Sequence, residues 1–224
     1  MIYLSLISSV LIGFGFGMLL NPKTKLLQLF LSFSGAYLLS ITVLHLLPDV
    51  FETQKKHIGL FILLGIVLQT VLEFFSKGAE HGHIHKHDFA KKIPWLIFIS
   101  LSLHAFLEGI PLGIDSNREL LWAIIIHKIP ITVVLVVFLQ KSSLPKSLIY
   151  MFILFFALMS PLGSLIGNKI SIFTQYQAQI NAIIIGIFLH ISTAILFESS
   201  ENHQFNIKKF IAIILGFLVA FISL

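Results

Sequence analysis

A chain of 224 residues that is 57% hydrophobic and only 11% charged lies outside the soluble globular range and inside that of membrane proteins. Its formal net charge of +5 does not mark a nucleic-acid binder, because the lysines flank apolar runs, where topology signals stand. Cysteine is absent, which excludes a disulfide framework and a thiolate metal centre.

A bilayer span needs about 20 mostly apolar residues, and the apolar runs give about eight of them. They cover roughly residues 2–20, 26–48, 58–76, 94–114, 119–140, 147–168, 178–198 and 207–224. The expected fold class is therefore an all-α integral membrane protein, a single transmembrane domain over residues 1–224 with a loop at about 77–93. The first run lacks a basic n-region and ends in Asn21-Pro22-Lys23-Thr24-Lys25, so it reads as a retained span rather than a cleaved signal. Gly13, Gly15 and Gly17 within it read as a close-packing face, since no βα context makes them a phosphate loop.

With the N-terminus outside, the inside connections hold Lys23, Lys25, Lys77, Lys86, Lys91, Lys92, Lys141, Lys146, Lys208 and Lys209. The outside ones hold only Lys55, Lys56, Arg118 and Lys169. This asymmetry predicts a multi-pass protein of the cell membrane with both termini outside.

Several spans contain groups that an apolar helix should lack. The second carries His45-Leu46-Leu47-Pro48-Asp49; its His and Asp, four apart, suit an entrance site or a simple helix-end cap equally well. The third connection reads Glu80-His81-Gly82-His83-Ile84-His85-Lys86-His87-Asp88. The alternating His81, His83, His85 and His87 predict weak, adaptable binding of transition metals in an accessory or sensing role.

The strongest signal is in spans four and five. His104 and Glu108 stand four apart, so one helix face carries both, one turn from each other. The next helix brings His127, followed by Lys128. Ionisable groups in the hydrocarbon layer cost several kcal/mol unless paired, coordinated or hydrated. His104, Glu108 and His127 together make a mixed N/O set suited to a borderline ion such as Zn²⁺, with Lys128 stabilising the ionised carboxylate.

Pro48, Pro111, Pro130 and Pro161 interrupt helices and free backbone carbonyls. Pro161-Leu162-Gly163 reads as a packing kink between close helices. In the seventh span His190 and Glu198 share a face, with Glu198 a candidate exit ligand or a solvated helix end.

Such a set serves a carrier of divalent cations. An open position beside three ligands would equally serve an intramembrane zinc-dependent hydrolase, although no HExxH helix is present. A metal sensor working through the histidine loop is a third reading. Candidate partners are a divalent metal ion, the lipid bilayer and a second copy of the chain in a homodimer. Nucleic acid is not among them.

On these residues the chain resembles the ZIP (Zrt/Irt-like) family of divalent metal transporters. The resemblance rests on His45 through Asp49, His104 through Gly113, His127-Lys128-Ile129-Pro130, Pro161 through Gly167 and Gly186 through Ser192. It implies a ZIP-like eight-helix transporter and no enzyme. Helices four and five hold the central metal site, and the outer helices form inverted repeats suited to alternating access. His104 and Glu108 match the family's fourth-helix ligands, and His127 falls on a position contributing to the primary site. The departures are Ala105, Lys128 and Ile131, with Ala194 and Ile195 near the place of a seventh-helix carboxylate. Lys128 can substitute for the charge of a second cation but cannot ligate while protonated. The resemblance therefore implies one central ion, carried into the cytosol as substrate rather than held as a cofactor.

Overall fold

The computed structural model of the chain describes residues 1–19, 24–76, 78, 95–142, 144–198 and 206–223, and among them all regular structure is helical. After α1 (Ile2–Leu19), α2 (Thr24–Ile41) runs through a π-helical turn (Thr42–Leu46) into α3 (Leu47–Glu52). Then come α4 (Ile58–Ser76), α5 (Trp95–Ile114), α6 (Arg118–Lys141), α7 (Lys146–Lys169), the short α8 (Ser171–Gln175), α9 (Gln177–Glu198) and α10 (Ile207–Ile222). Among the described residues, seven segments are long and apolar enough to cross a membrane, with Lys25–Glu52 counted as one. The helix α10, with 16 residues, is about 24 Å long at 1.5 Å per residue. The long helices thus fall on the apolar runs, and the fold is the all-α membrane bundle expected.

The second span does not stop at Pro48, as its sequence suggested. A proline ring collides with the carbonyl four residues back and offers no N–H to it. Ahead of Pro48 the helix widens by one residue, and the Leu47 N–H donates to the Thr42 carbonyl, five residues earlier. Turns of this kind are frequent at functional sites, and this one contains His45.

The central post is α6. Every residue from Ile131 to Leu139 is buried, the mark of a helix that is apolar all round and lies inside the bundle. Its neighbours are α1 and α2, while α5 packs on α7, α4 on α9 and α2 on α10. Lipid tails are as apolar as leucine, so helices in a bilayer associate through close backbone contact at small residues. Gly109 and Gly113 of α5 and Gly163 and Gly167 of α7 supply it here. A Cβ on any of them would run into a carbonyl of the facing helix: Ser160, Ser164, Phe106 or Ile110 respectively.

Gly65 and Gly186 do the same between α4 and α9, against the carbonyls of Ile183 and Ile62. Gly13 and Gly17 seat α1 on Ile129, Thr132 and Val136 of α6, whereas Gly15 faces open space. Only two of the three N-terminal glycines therefore make the expected packing face.

Replacing Gly113 or Gly163 by leucine is expected to force α5 away from α7 at a cost of about 1–3 kcal/mol. The melting temperature of the purified chain in detergent would fall accordingly. Gly59→Ala, where an added Cβ meets nothing within 4 Å, should leave it unchanged or slightly higher.

Candidate metal centre

The antiparallel helices α5 and α6 join through a turn at Asp115–Asn117, where the Asn117 side chain caps α6 by accepting from the Leu120 N–H at 2.7 Å. Counting back from that turn along α5 and forward along α6, His104 and His127 each lie about 14–15 Å deep at 1.5 Å per residue. That is half of a hydrocarbon layer of about 30 Å. Equal depth on neighbouring helices is what lets two separated motifs meet.

They do meet. His104, Glu108, His127 and Lys128 are each no more than 2% exposed. The Lys128 ammonium donates to Glu108 Oε1 in a buried ion pair, and His104 Nε2 lies 3.4 Å from Glu108 Oε2. The His104 and His127 rings stand edge to face with centroids 6.3 Å apart. The ammonium also lies 5.3 Å from the centroid of the Phe156 ring, close enough for a cation–π contribution.

Removing two ions from water costs several kcal/mol each, which their attraction offsets only where further hydrogen bonds complete the group. Ser160 of α7 is such a partner: its hydroxyl lies 2.6 Å from the Ala105 carbonyl and 3.1 Å from Glu108 Oε1. One hydrogen is thus shared between two acceptors, at the point where Gly109 and Gly163 bring α5 and α7 together.

In this conformation no three His or carboxylate side chains among the described residues are gathered closely enough to hold an ion at once. The carboxylate is engaged by Lys128 instead. The four polar groups are adjacent, but a cation bound by His104, Glu108 and His127 must displace the ammonium from the carboxylate or share it.

Above this group, at the Asp115 end of α5, opens a cavity of about 590 Å³. Asp49, Glu52 and Asp115 are in its wall with a single lysine, Lys55, and with Asn117 and Asn181. Pro111, one turn from Glu108, is also in the wall. Of the expected entrance pair, Asp49 lines this cavity. His45 sits half-buried in the π-helical turn, and only its neighbour Leu46 reaches the wall.

In the seventh span His190 bonds not along its own helix but across to α4. Its Nε2 lies 2.5 Å from Glu73 Oε2, and its Nδ1 lies 3.5 Å from the Thr70 hydroxyl. The side chain of Glu198 and the loop histidines His81, His83, His85 and His87 lie outside the described residues.

Sequence reasoning passed over Glu73, although a carboxylate within an apolar run was signal enough. It likewise passed over Glu52 and Asp115, which line the cavity. Nothing in the sequence could have singled out Ser160, whose role depends on which helix faces it.

Apolar helical spans around a buried ion group, beneath an acidic cavity, define a multi-pass integral membrane protein with ionisable groups inside its spans. The model of the ZIP Zinc transporter family matches residues 79–223, and the chain belongs to that family. It is 32% identical over 164 residues to Protein zntD of Dictyostelium discoideum, covering 63% of this chain and 24% of that one. It is 32% identical over 133 residues to Zinc transporter ZIP1 of Danio rerio, covering 57% and 44%. The value is 33% over 152 residues for Zinc transporter ZIP1 of Takifugu rubripes, covering 61% and 49%. The chain thus spans between a quarter and a half of these relatives' lengths. The family is one of transporters rather than enzymes, and the hydrolase reading finds no support in it.

Replacing Lys128 by methionine leaves the Glu108 carboxylate buried without its counter-charge. The expected cost is about 3–5 kcal/mol, read as a lower melting temperature. Adding Glu108→Gln should recover much of that loss, because no charge then remains uncompensated.

Proposed function

We propose that the chain carries a divalent transition-metal cation, zinc by analogy with the names of its relatives, across the cell membrane into the cytosol. The observation that carries this reading is the mid-depth group of His104, Glu108, His127 and Lys128 set one turn below an acidic cavity. Three carboxylates against one ammonium in a low-dielectric vestibule attract cations and raise their local concentration. The ion is substrate, not cofactor.

In this mechanism the hydrated cation collects at Asp49 and Asp115 and passes Pro111. It then exchanges part of its water shell for His104, Glu108 and His127. The Lys128 ammonium neutralises Glu108 while the site is free, so the pair rests at zero net charge. An arriving divalent ion raises the group to a net +2, and this repulsion keeps affinity modest enough for release. It also leaves no place for a second cation.

Alternating access then turns the same group toward the opposite face, on the side of His190. The lysine bias puts the cavity and both termini outside. Residues 1–224 act as one transporter unit in this reading, alone or as a homodimer in the lipid bilayer.

Zinc uptake into proteoliposomes with an internal fluorescent indicator is the direct test. Glu108→Ala and His104→Ala should each bring uptake to background while the chain stays monodisperse. Deleting residues 80–88 should preserve most of the flux. Uptake unaffected by both point substitutions would overturn the central site, and no uptake of any divalent metal would overturn the carrier.

The vestibule makes a separate prediction. Asp49→Asn and Asp115→Asn should raise KM with little change in kcat, and the difference should shrink as ionic strength rises, because exposed charges are screened within about 10 Å at 0.1 M salt.

A further inference from the structure

We propose that Glu73, His190 and Thr70 form a second station for the divalent cation, between α4 and α9, on the side of the central group facing away from the acidic cavity. The proposal rests on the carrier reading above and adds a site to it. Its position along the bundle follows from one hydrogen bond. The Ser100 hydroxyl of α5 donates to the Leu72 carbonyl of α4 at 2.6 Å, which sets Glu73 level with Ser100. Ser100 is one turn before His104, about 6 Å along the helix at 1.5 Å per residue. The cavity, the central group and Glu73–His190 are therefore successive levels of one bundle.

A hydrogen-bonded pair between two membrane helices often serves only to join them. Here the joining is already done by Gly65 and Gly186, which put the two backbones in contact. Glu73 and His190 are each 20% exposed, so neither is sealed inside the bundle. The central group, by contrast, is closed off.

The donor chemistry fits a metal ion better than glue. The Thr70 hydroxyl spends its hydrogen on the Ile66 carbonyl at 2.9 Å and therefore faces His190 Nδ1 as an acceptor, at 3.5 Å. That orientation favours a hydrogen on Nδ1, as outer-shell partners do for metal-binding histidines, so Nε2 can offer its lone pair once the hydrogen it shares with Glu73 leaves. Two lone-pair atoms 2.5 Å apart need a positive centre between them: the hydrogen that now joins them, or a metal ion in its place. An ion at about 2.0–2.1 Å from each, in tetrahedral geometry, needs the two atoms about 3.3 Å apart. Small side-chain rotations supply that opening, and water completes the shell.

The chain's lack of cysteine provides the test. In the full chain in nanodiscs, Glu73→Cys places the sole thiol beside His190, and its reaction with a water-soluble maleimide is followed with and without Cd²⁺. Coordination should slow labelling about tenfold or more, since the free thiolate is the nucleophile. Mg²⁺ should not, and adding His190→Ala should remove the protection. The reciprocal His190→Cys, with Glu73 in place, serves if the first variant misfolds. Equal rates with and without Cd²⁺, or protection that survives His190→Ala, would overturn the station. Metal uptake by the native chain in proteoliposomes, run in parallel, separates the two readings. Uptake without protection at Glu73→Cys sinks the station alone, and no uptake of any divalent metal sinks the carrier as well.

Discussion

Burying a carboxylate and an ammonium halfway through a hydrocarbon layer is the constraint around which this bundle is arranged. Glu108 and Lys128 come from different helices and are sealed from solvent, and neither is tolerable there without the other. Their pairing requires α5 and α6 to present the same depth at the same place. It also requires a third helix to come close enough for Ser160 to reach both the carboxylate and the Ala105 carbonyl. The glycines Gly109 and Gly163 allow that approach by bringing α5 and α7 into backbone contact. Packing and electrostatics are thus the same requirement, met at one level of the bundle.

The two ends of the bundle differ in kind. At one end Asp49, Glu52 and Asp115 surround a wide cavity, a diffuse field suited to attracting hydrated cations without fixing them. Toward the other end the polar groups are few and specific, Glu73 and His190 bonded across α4 and α9. Between them lies a group that is both dry and internally neutralised. For the proposed carrier, a gradient from loose attraction through tight, charge-compensated burial to a small N/O pair is a sensible order in which a cation sheds water and then regains it.

Glycine contacts also distribute rigidity. The pairs α5–α7 and α4–α9 each meet backbone to backbone, so each moves as a unit if it moves at all. The widened turn ahead of Pro48 lets α2 continue into α3 and carry Asp49 to the cavity wall. A helix broken at that proline would have left this end of the second span without its carboxylates.

Much was legible in the chain itself, because a bilayer leaves so few options. Apolar run lengths determined the spans, and the helical period placed His104 and Glu108 on one face. The expense of buried charge singled out His104, Glu108, His127 and Lys128 as candidates, and all four are buried together. These are local or compositional properties that hold whatever the helices pack against.

The rest depended on which helix faces which. Ser160 became a partner of Glu108, Glu73 a partner of His190, and Asp115 a wall residue beside Asp49 only through contacts between segments far apart in sequence. Periodicity gives the face a residue occupies on its own helix but not the helix opposite. In a membrane that choice is made by close backbone fit at small residues, a property of two surfaces together.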